Sequence, residues 1–437
     1  MKNNFVKVVI IAVLSFLAGT VYCDTNQKFY PQLEINGETN KSALSYQPGE
    51  KMIFTFRLNN TVDIPENWNI SYRRSGDDGQ TFTGKSPANK PLVIETSLDK
   101  AGFVSVTAFL TDENDKSVLR NSHPGSFIAF FAGTAVHPEK LADCGEPADF
   151  DAFWARQKKR LAAVPFAGKT ECKLVKTVQG GKIYEVSIPC AGPRPATGYL
   201  MVPDNAGEKS LPGRINFFGY GTAPQRIPGK IIPGYLTLIL NAHGQKLGQN
   251  AEYYKNFFAS IRSGKYNYAF DPQENKDPEN CFFNGMVFRA LRGLEYLKSR
   301  PEWDGKNLFA VGGSQGGLQV MWAAALDPDV TVALPHITWC CDLAGTAKAK
   351  RLHGNWRLEY VPELDYYDPV FMAKRIKKAR VDITRAGLGD YTCPPSGLAV
   401  CYRNLATPQK SIRWVQGSNH SFVPKKSEII TWSTYKK

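Results

Sequence analysis

The chain has 437 residues, of which 43% are hydrophobic and 22% charged, and its formal net charge is +14 at neutral pH. This length predicts two or three domains, and the composition is that of a globular protein without low-complexity tracts or internal repeats. Because the basic residues are spread along the chain and form no stripe interleaved with aromatic residues, the charge indicates a solvated basic surface and does not favour a nucleic-acid-binding protein.

The first 23 residues are predicted to be a secretory signal peptide. Lys2 and Lys7 supply a positive end, residues 8–17 are nearly all apolar, and a cleavage site is predicted after Cys23. The apolar run is too short to span a bilayer comfortably, so a removable leader is favoured over a membrane anchor. A lipid-modified Cys23 is less favoured because Tyr22 is bulky where a small residue is expected. We therefore expect a secreted or periplasmic protein without stable membrane insertion.

Residues 24–136 are predicted to form a small all-β sandwich domain. Apolar residues occupy alternate positions in the runs 52–58 and 104–110, and turn clusters such as Gln47-Pro48-Gly49 separate such runs. This pattern is typical of short antiparallel strands. The domain shows no catalytic constellation, and its sequence leaves open whether it covers an active-site mouth, binds glycan or assists folding.

The pattern changes near residues 136–140, and residues 137–437 are predicted to form an α/β catalytic domain. Strands are predicted at 173–178, 182–188, 198–203, 214–218, 236–240, 308–311, 330–335, 381–386 and 411–415, with helices at 284–300 and through 398–405. The alternation of late strands with helices predicts a mostly parallel sheet with helices on both faces, and the adjacent early strands predict an antiparallel edge. This layout is that of the α/β-hydrolase fold.

The segment Gly312-Gly313-Ser314-Gln315-Gly316 is a G-x-S-x-G motif between the predicted strand 308–311 and the mostly apolar run 318–326. A nucleophile elbow has this strand-to-helix context. The N–H groups at the start of the helix would face an oxyanion at the serine. We therefore predict that Ser314 is a nucleophile; the alternative is an ordinary tight strand-to-helix turn.

In this fold the catalytic base follows the serine and the acid in the chain, just after a late strand. His420 follows the last predicted strand through a short loop. It is favoured over His336, which follows the strand after the elbow, and over His353, which lies in a charged segment. His420 would take the proton from Ser314 and return it to the leaving alcohol.

Asp390 is the favoured catalytic acid because it comes directly after the predicted strand 381–386. Asp342 is the alternative after an earlier strand, and Asp382 lies inside a strand. A second oxyanion donor is expected where the strand 214–218 runs into glycines. The backbone N–H of Tyr220 is the candidate there, with the N–H of Gln315 as its partner; the alternative is a simple turn with a packed tyrosine.

Motifs from about Phe150 to His420 resemble carbohydrate esterase family 7, the acetyl xylan esterase and cephalosporin-C deacetylase group. They are Phe150-Asp151-Ala152-Phe153-Trp154, Gly198-Tyr199-Leu200-Met201-Val202-Pro203, Phe218-Gly219-Tyr220-Gly221, Arg300-Pro301-Glu302-Trp303-Asp304-Gly305, Gly312-Gly313-Ser314-Gln315-Gly316-Gly317, and Gly389-Asp390 with Cys393-Pro394-Pro395. The resemblance implies a triad of Ser314, Asp390 and His420, with Tyr220 and Gln315 lining the oxyanion hole. It also implies removal of acetyl groups from sugars or small alcohols without a cofactor.

Three positions near the predicted pocket depart from the family pattern. The family usually has histidine at Phe218, Arg-Gly-Gln at His243-Gly244-Gln245 and His-Glu at His420-Ser421. No triad member is lost, so the departures bear on acyl and alcohol specificity more than on ester hydrolysis. Phe218, His243 and Gln245 are predicted pocket residues, with His243 one layer behind the reacting groups.

The sequence thus predicts an exported serine esterase that deacetylates xylan, oligosaccharides or similar small acetate esters. One alternative is an α/β-hydrolase for other acyl esters or peptides; another is a non-catalytic glycan-binding protein. No C-x-x-C motif or cysteine–histidine spacing indicates a metal site. The expected partner is an acetylated carbohydrate or another small acetate ester and not a nucleic acid. The sequence is compatible with an oligomer but does not indicate the number of subunits.

Overall fold

The computed structural model describes residues 28–59, 62–123 and 125–435, so the predicted leader lies outside the described residues. The N-terminal strands are β1 (Glu34–Thr39), β2 (Met52–Asn59), β3 (Asn69–Gly76), β4 (Thr81–Pro87), β5 (Leu92–Thr96), β6 (Gly102–Thr111) and β7 (Ala129–Val136). They form two antiparallel sheets with the orders β1-β2-β5 and β4-β3-β6-β7. Alternate residues of both sheets, among them Phe54, Val106 and Phe130, are buried in one shared core.

Strands and helices alternate in the rest of the chain. The elements are α1 (Phe150–Ala162), β8 (Glu171–Val178), β9 (Gly181–Ile188), β10 (Ala196–Pro203), β11 (Leu211–Phe217), β12 (Leu236–Leu240), α2 (Ala251–Ser260), α3 (Pro272–Asn275), α4 (Phe282–Ser299), β13 (Trp303–Ser314), α5 (Gln315–Leu326), β14 (Val332–Thr338), α6 (Leu343–Ala349), α7 (Pro369–Ala373), β15 (Arg380–Gly387), α8 (Pro395–Asn404), β16 (Lys410–Val415) and β17 (Ile429–Ser433). Short 3₁₀ turns lie at Pro138–Lys140 and Pro362–Tyr366.

One ten-stranded sheet organises this part, in the order β17-β16-β15-β14-β13-β11-β12-β10-β9-β8. The six strands from β16 to β12 in this order run parallel, and the strands beyond them at both edges are antiparallel. Helix α4 packs on β9–β13, α5 on β11, β13 and β14, and α8 on β15 and β16. The carboxyl ends of the parallel strands therefore meet at one edge, where open α/β sheets have their active sites.

Two differences from the sequence expectations affect this edge. Strand β13 extends through Ser314 and begins at Trp303, so the predicted strand 308–311 is only its apolar centre. Strand β17, which was not predicted, pairs with β16 and brings the segment after His420 back along the sheet.

In the part of the chain that the structure describes, no helix combines the length and apolar character needed to cross a membrane.

Candidate active site

Ser314 ends β13 and directly precedes α5, and its backbone has φ 57° and ψ −120°. This conformation costs a residue with a side chain about 1–3 kcal/mol and persists only where the surroundings enforce it. The neighbouring glycines allow that enforcement by close backbone approach. A Cβ on Gly312 would lie 2.6 Å from the backbone of Gly316, and one on Gly316 would lie 2.5 Å from the carbonyl oxygen of Phe217. The backbone at the end of β13 therefore packs directly against the backbone at the start of α5, and Ser314 lies in the turn between them.

His420 and Asp390 form a hydrogen-bonded pair after β16 and β15. His420 Nδ1 lies 2.9 Å from Asp390 Oδ2, and Asp390 is buried. The other carboxylate oxygen, Oδ1, accepts from the N–H of Thr392 at 3.0 Å and of Cys393 at 3.1 Å. Because the ionised carboxylate is only an acceptor, it favours the His420 tautomer with the proton on Nδ1. Nε2 is then free to accept a proton.

Ser314 and His420 line one cavity of about 1000 Å³. The side chain of His420 is 30% exposed, whereas that of Asp390 is 1% exposed, so the base faces the cavity and the acid lies behind it. His336 lines the same cavity, and its Nδ1 lies 2.7 Å from Thr384 Oγ1. The structure thus places the predicted nucleophile and the predicted base in one cavity and bonds the predicted acid to the base.

The donor set of Asp390, Cys393 and His420 also has to be weighed as a metal site, since their ligand atoms lie within 4.8 Å of one another. Burial, and next the charge of Asp390, raises the pKa of the Cys393 thiol well above its ordinary value. The thiol is therefore protonated in the metal-free protein, and a metal ion would have to displace that proton. Both Asp390 oxygens already accept hydrogen bonds, from His420 and from backbone N–H groups. The arrangement fits a triad better than a metal centre.

Tyr220 and Gln315, the predicted oxyanion residues, are connected through Tyr268. The rings of Tyr220 and Tyr268 stack at 4.2 Å, and the Tyr220 hydroxyl donates to the carbonyl oxygen of Tyr268 at 3.0 Å. The Tyr268 hydroxyl donates to Gln315 Oε1 at 2.8 Å. The side chains of Tyr220 and Gln315 thus both contact Tyr268, so only their backbone N–H groups are candidates for the oxyanion hole. Gln315 begins α5, so its N–H has no intrahelical partner, and the N–H of Tyr220 forms no hydrogen bond with the described residues.

The three predicted pocket residues lie outside the lining of this cavity. Phe218, directly after β11, is half exposed. His243 and Gln245 are buried, and the Gln245 carbonyl accepts from the Thr197 hydroxyl at 2.7 Å. The ring of His243 packs edge-on against Tyr268 at 4.6 Å, and Tyr268 in turn bonds Gln315, so His243 lies two contacts behind Gln315.

His243 is a neutral histidine in an aromatic surrounding. Burial, and then the charges of Arg289 and Arg194, lowers its pKa to about 3. Its Nε2 is buried without a hydrogen-bond partner among the described residues. With its pKa this far below neutrality the ring is a weak base, and it lies outside the cavity that Ser314 and His420 line.

Asp342, His353 and Asp382, three of the alternatives for acid and base, are engaged elsewhere. Asp342 forms an ion pair with Arg351, and burial raises its pKa to about 6. His353 Nε2 lies 2.8 Å from a guanidinium nitrogen of Arg357. Asp382 pairs with an arginine of its own strand. These contacts do not connect any of the three to Ser314.

The loops that carry the acid and the base rest on strand β7 of the N-terminal part. Gln416 Nε2 donates to the carbonyl oxygen of Gly133 at 2.8 Å, and its Oε1 accepts from the Gly133 N–H at 2.8 Å. A Cβ on Gly389, the residue before Asp390, would collide with Phe131. The N–H of Phe131 donates to the carbonyl of Gly417 at 3.4 Å. Strand β7 therefore contacts the loop of Asp390 and the loop of His420.

Sequence reasoning missed Tyr268, Arg385 and Gln416. Arg385 Nη2 donates to the carbonyl oxygen of His420 at 2.6 Å and so braces the loop of the base. The available signal was a basic residue near the end of the strand that precedes Asp390. Tyr268 lies in an irregular segment, and Gln416 pairs with Gly133 across 283 residues, so neither contact had a local signal.

Comparison with known proteins agrees with this geometry. The model of the acetyl xylan esterase (AXE1) family matches residues 140–435. The acetyl esterase Axe7A of Xylanibacter ruminicola is 29% identical over 282 residues, which cover 61% of this chain and 62% of that relative. The match therefore spans less than two thirds of the relative's length.

Two solved structures share the fold. The acetyl xylan esterase from Paenibacillus sp. R4 aligns with a TM-score of 0.54 at 25% identity, over 66% of this chain and 94% of that one. Acetyl xylan esterase 1 from Thermoanaerobacterium sp. JW/SL YS485 aligns with a TM-score of 0.55 at 21% identity, over 66% and 93%. The predicted α/β-hydrolase fold and the predicted resemblance are confirmed. Since the family match covers most of its length, the chain belongs to the acetyl xylan esterase family.

Proposed function

We propose that this chain is a serine esterase that removes acetyl groups from acetylated xylan, oligosaccharides or similar small acetate esters. The observation that carries the proposal is the hydrogen bond between His420 and Asp390 at 2.9 Å, next to a strained Ser314 in the same cavity. The family membership and the relative named acetyl esterase support the same chemistry.

In the acylation half, Ser314 Oγ attacks the acetyl carbonyl while His420 Nε2 takes its proton. Asp390 holds the imidazole in the required tautomer and stabilises the imidazolium. The oxyanion of the tetrahedral intermediate accepts from the backbone N–H groups of Gln315 and Tyr220. Collapse of the intermediate returns the proton from His420 to the sugar oxygen, so an alcohol leaves and an acetyl-serine remains.

In the deacylation half, water takes the place of the alcohol. His420 accepts a proton from the water, which attacks the acetyl-serine carbonyl, and the same two N–H groups stabilise the second oxyanion. Proton return to Ser314 Oγ releases acetate and restores the enzyme. No other co-reactant enters this balance.

The test is hydrolysis of a chromogenic acetate ester by Ser314→Ala. We expect a loss of kcat of roughly 10⁵-fold or more with an unchanged thermal unfolding curve, since the nucleophile is removed and alanine is small enough for the turn. Ser260→Ala, at the end of α2, is the matched control and should keep full activity. Activity of Ser314→Ala within tenfold of the parent would refute the assignment.

The alternatives make different predictions for substrates. An esterase for larger acyl groups would keep its kcat/KM from acetate to butyrate and longer esters, whereas the proposed deacetylase should lose it steeply. A non-catalytic glycan-binding protein would bind xylan fragments and resist labelling of Ser314 by a serine-reactive phosphonate.

The proposal includes an exported enzyme, secreted or periplasmic, with residues 1–23 as leader. It also includes a β-sandwich domain at 24–136 and a catalytic domain at 137–437. The end of β7 at Val136 and the family match beginning at residue 140 support this boundary. An extracellular acetylated carbohydrate is then the substrate. N-terminal sequencing of the protein from culture medium or periplasm tests the leader, and a chain starting at residue 1 would contradict it.

A further inference from the structure

The wall of the catalytic cavity is strongly cationic. Four basic side chains line it together with Ser314 and His420, and the lining contains no aspartate or glutamate: the four are Arg385, Arg413, Lys425 and Lys426. Arg413 and both lysines are exposed, and Arg385 is half-buried. The sequence spreads its basic residues evenly, so this concentration arises only from the fold.

The carboxylates closest in sequence to these cations are engaged elsewhere. Asp382 pairs with Arg380 at 2.7 Å and accepts from the hydroxyl of Ser411. Glu428 Oε2 accepts from the N–H of Ala43 in the N-terminal part. Among the residues that the structure describes, none of the four cavity cations forms an ion pair within 4.0 Å; the ion pairs of the neighbourhood involve Arg380 and the triad.

The two arginines have fixed places relative to the reacting groups. Arg385 is tied to the loop of the base through its hydrogen bond to the His420 carbonyl at 2.6 Å. Arg413 lies on β16, which pairs in parallel with β15, the strand of Arg385 and Thr384. Thr384 Oγ1 in turn lies 2.7 Å from Nδ1 of His336 on β14. The two arginines thus lie on neighbouring parallel strands, and one of them contacts the loop of the base.

This wall has the chemistry of a carboxylate site. A guanidinium presents paired N–H donors that match a carboxylate, and ammonium groups add a positive field in the same cleft. A neutral sugar would gain hydrogen bonds from such a wall but no charge pairing. The volume of about 1000 Å³ is at the upper end of ligand cavities and admits more than one sugar unit.

We propose that the cavity binds acetylated oligosaccharides that carry a carboxylate, namely a uronic acid unit near the acetylated sugar. Arg413 and Arg385 bind the carboxylate, and Lys425 and Lys426 attract it. The inference rests on the proposed deacetylase function and specifies its substrate class. Recognition of the acid adds no step to the ester chemistry described above.

The test compares kcat/KM for acetate release from two matched substrates, an acetylated neutral xylo-oligosaccharide and the same oligosaccharide bearing a glucuronic acid side group. We expect the acidic substrate to be preferred by roughly tenfold or more, mainly through KM, because charge-assisted hydrogen bonds contribute at this level. The preference should shrink as salt is raised, since exposed charges are screened.

Variants at Arg413 make the test specific. In Arg413→Gln the ratio of acidic to neutral kcat/KM should fall several-fold, and in Arg413→Glu it should fall below one. Arg73→Gln, on an exposed position of β3, keeps the parental ratio. Equal kcat/KM for both substrates in the parent protein, or an unchanged ratio in Arg413→Glu, would overturn the inference while leaving the esterase intact. No hydrolysis of either substrate or of a chromogenic acetate ester would instead overturn the proposed function.

Discussion

The nucleophile elbow and the loops of the acid and the base differ in what holds them. Around Ser314, backbone meets backbone: β11, the end of β13 and the start of α5 approach so closely that Gly312 and Gly316 have no room for a Cβ. Asp390 and His420 instead lie on loops after β15 and β16. Those loops contact β7, a strand of the N-terminal sheet, through side-chain hydrogen bonds and ring contacts.

Mutations in the two regions should therefore have different effects. A change at the elbow has to move main chain in the centre of the sheet, so it should act on the stability of the whole catalytic part. A change at the acid and base loops should act on the orientation of His420 and leave the sheet intact.

Asp390→Asn should lower kcat roughly 10⁴-fold, because the amide no longer fixes the His420 tautomer or stabilises the imidazolium. The asparagine Oδ1 can still accept from the N–H groups of Thr392 and Cys393, so the thermal unfolding curve should change little. The measurement is kcat on a chromogenic acetate ester. Asp204→Asn, in the exposed turn after β10, serves as control; a loss below tenfold in Asp390→Asn would remove Asp390 from the triad.

Gly317→Ala should lower the free energy of unfolding by about 3 kcal/mol or more, since the new Cβ would collide with the carbonyl of Ile337 in a packed backbone. Urea unfolding followed by circular dichroism measures the change. In Gly229→Ala the Cβ meets open space, so its stability should match the parent. Equal stability of both variants would mean that the elbow is not held by backbone packing.

Gln416→Ala should lower kcat roughly tenfold with KM nearly unchanged, because the loop of the base loses both hydrogen bonds to Gly133. The expected signature of positioning is slower labelling of Ser314 by a serine-reactive phosphonate. Gln409→Ala, exposed just before β16, is the matched control. A lower melting temperature with parental kcat and labelling rate would show that β7 supports folding only.

His243→Phe tests the region behind the elbow through pH. The folded pKa of His243 is about 3, below the unfolded value near 6.5. Between these values only the unfolded chain binds the extra proton, so the contribution of His243 to stability is present above pH 6.5 and is lost as the pH falls.

Relative to His243→Phe, the parent should therefore lose about 1.4 kcal/mol of unfolding free energy per pH unit below pH 6.5. Urea titrations at a series of pH values from about 7.5 down to 4 measure both proteins. The difference between parent and variant should be constant above pH 7. If the difference in unfolding free energy does not change with pH, the ring of His243 takes up a proton in the folded protein as readily as in the unfolded chain, and its pKa is not lowered by burial.

The sequence was sufficient for much of the sheet because its strands are apolar and its turns are marked. The strand Leu236–Leu240 has the predicted bounds, and β9 and β16 each begin one residue earlier than predicted. Ser314 could be located because glycine spacing around an elbow is a steric requirement visible in the chain. His420 and Asp390 followed from strand order alone.

The remaining features depend on contacts between distant parts of the chain. Strand β17 has an alternating pattern too short and too exposed to stand out, and it forms because β16 offers a free edge. The pairing of Gln416 with Gly133 and the gathering of Arg385 and Arg413 in one cavity have no local periodicity. His243 was expected one layer behind the reacting groups, and packing identifies Tyr268 as the residue in front of it.

The most direct test of the account is the site of modification by a serine-reactive phosphonate, located by peptide mass spectrometry. One modified residue, Ser314, is expected in the parent protein, with much slower modification in Asp390→Asn and none in Ser314→Ala. Modification of another serine, or acetate-ester hydrolysis that survives complete modification of Ser314, would contradict the assignment of this residue as the nucleophile.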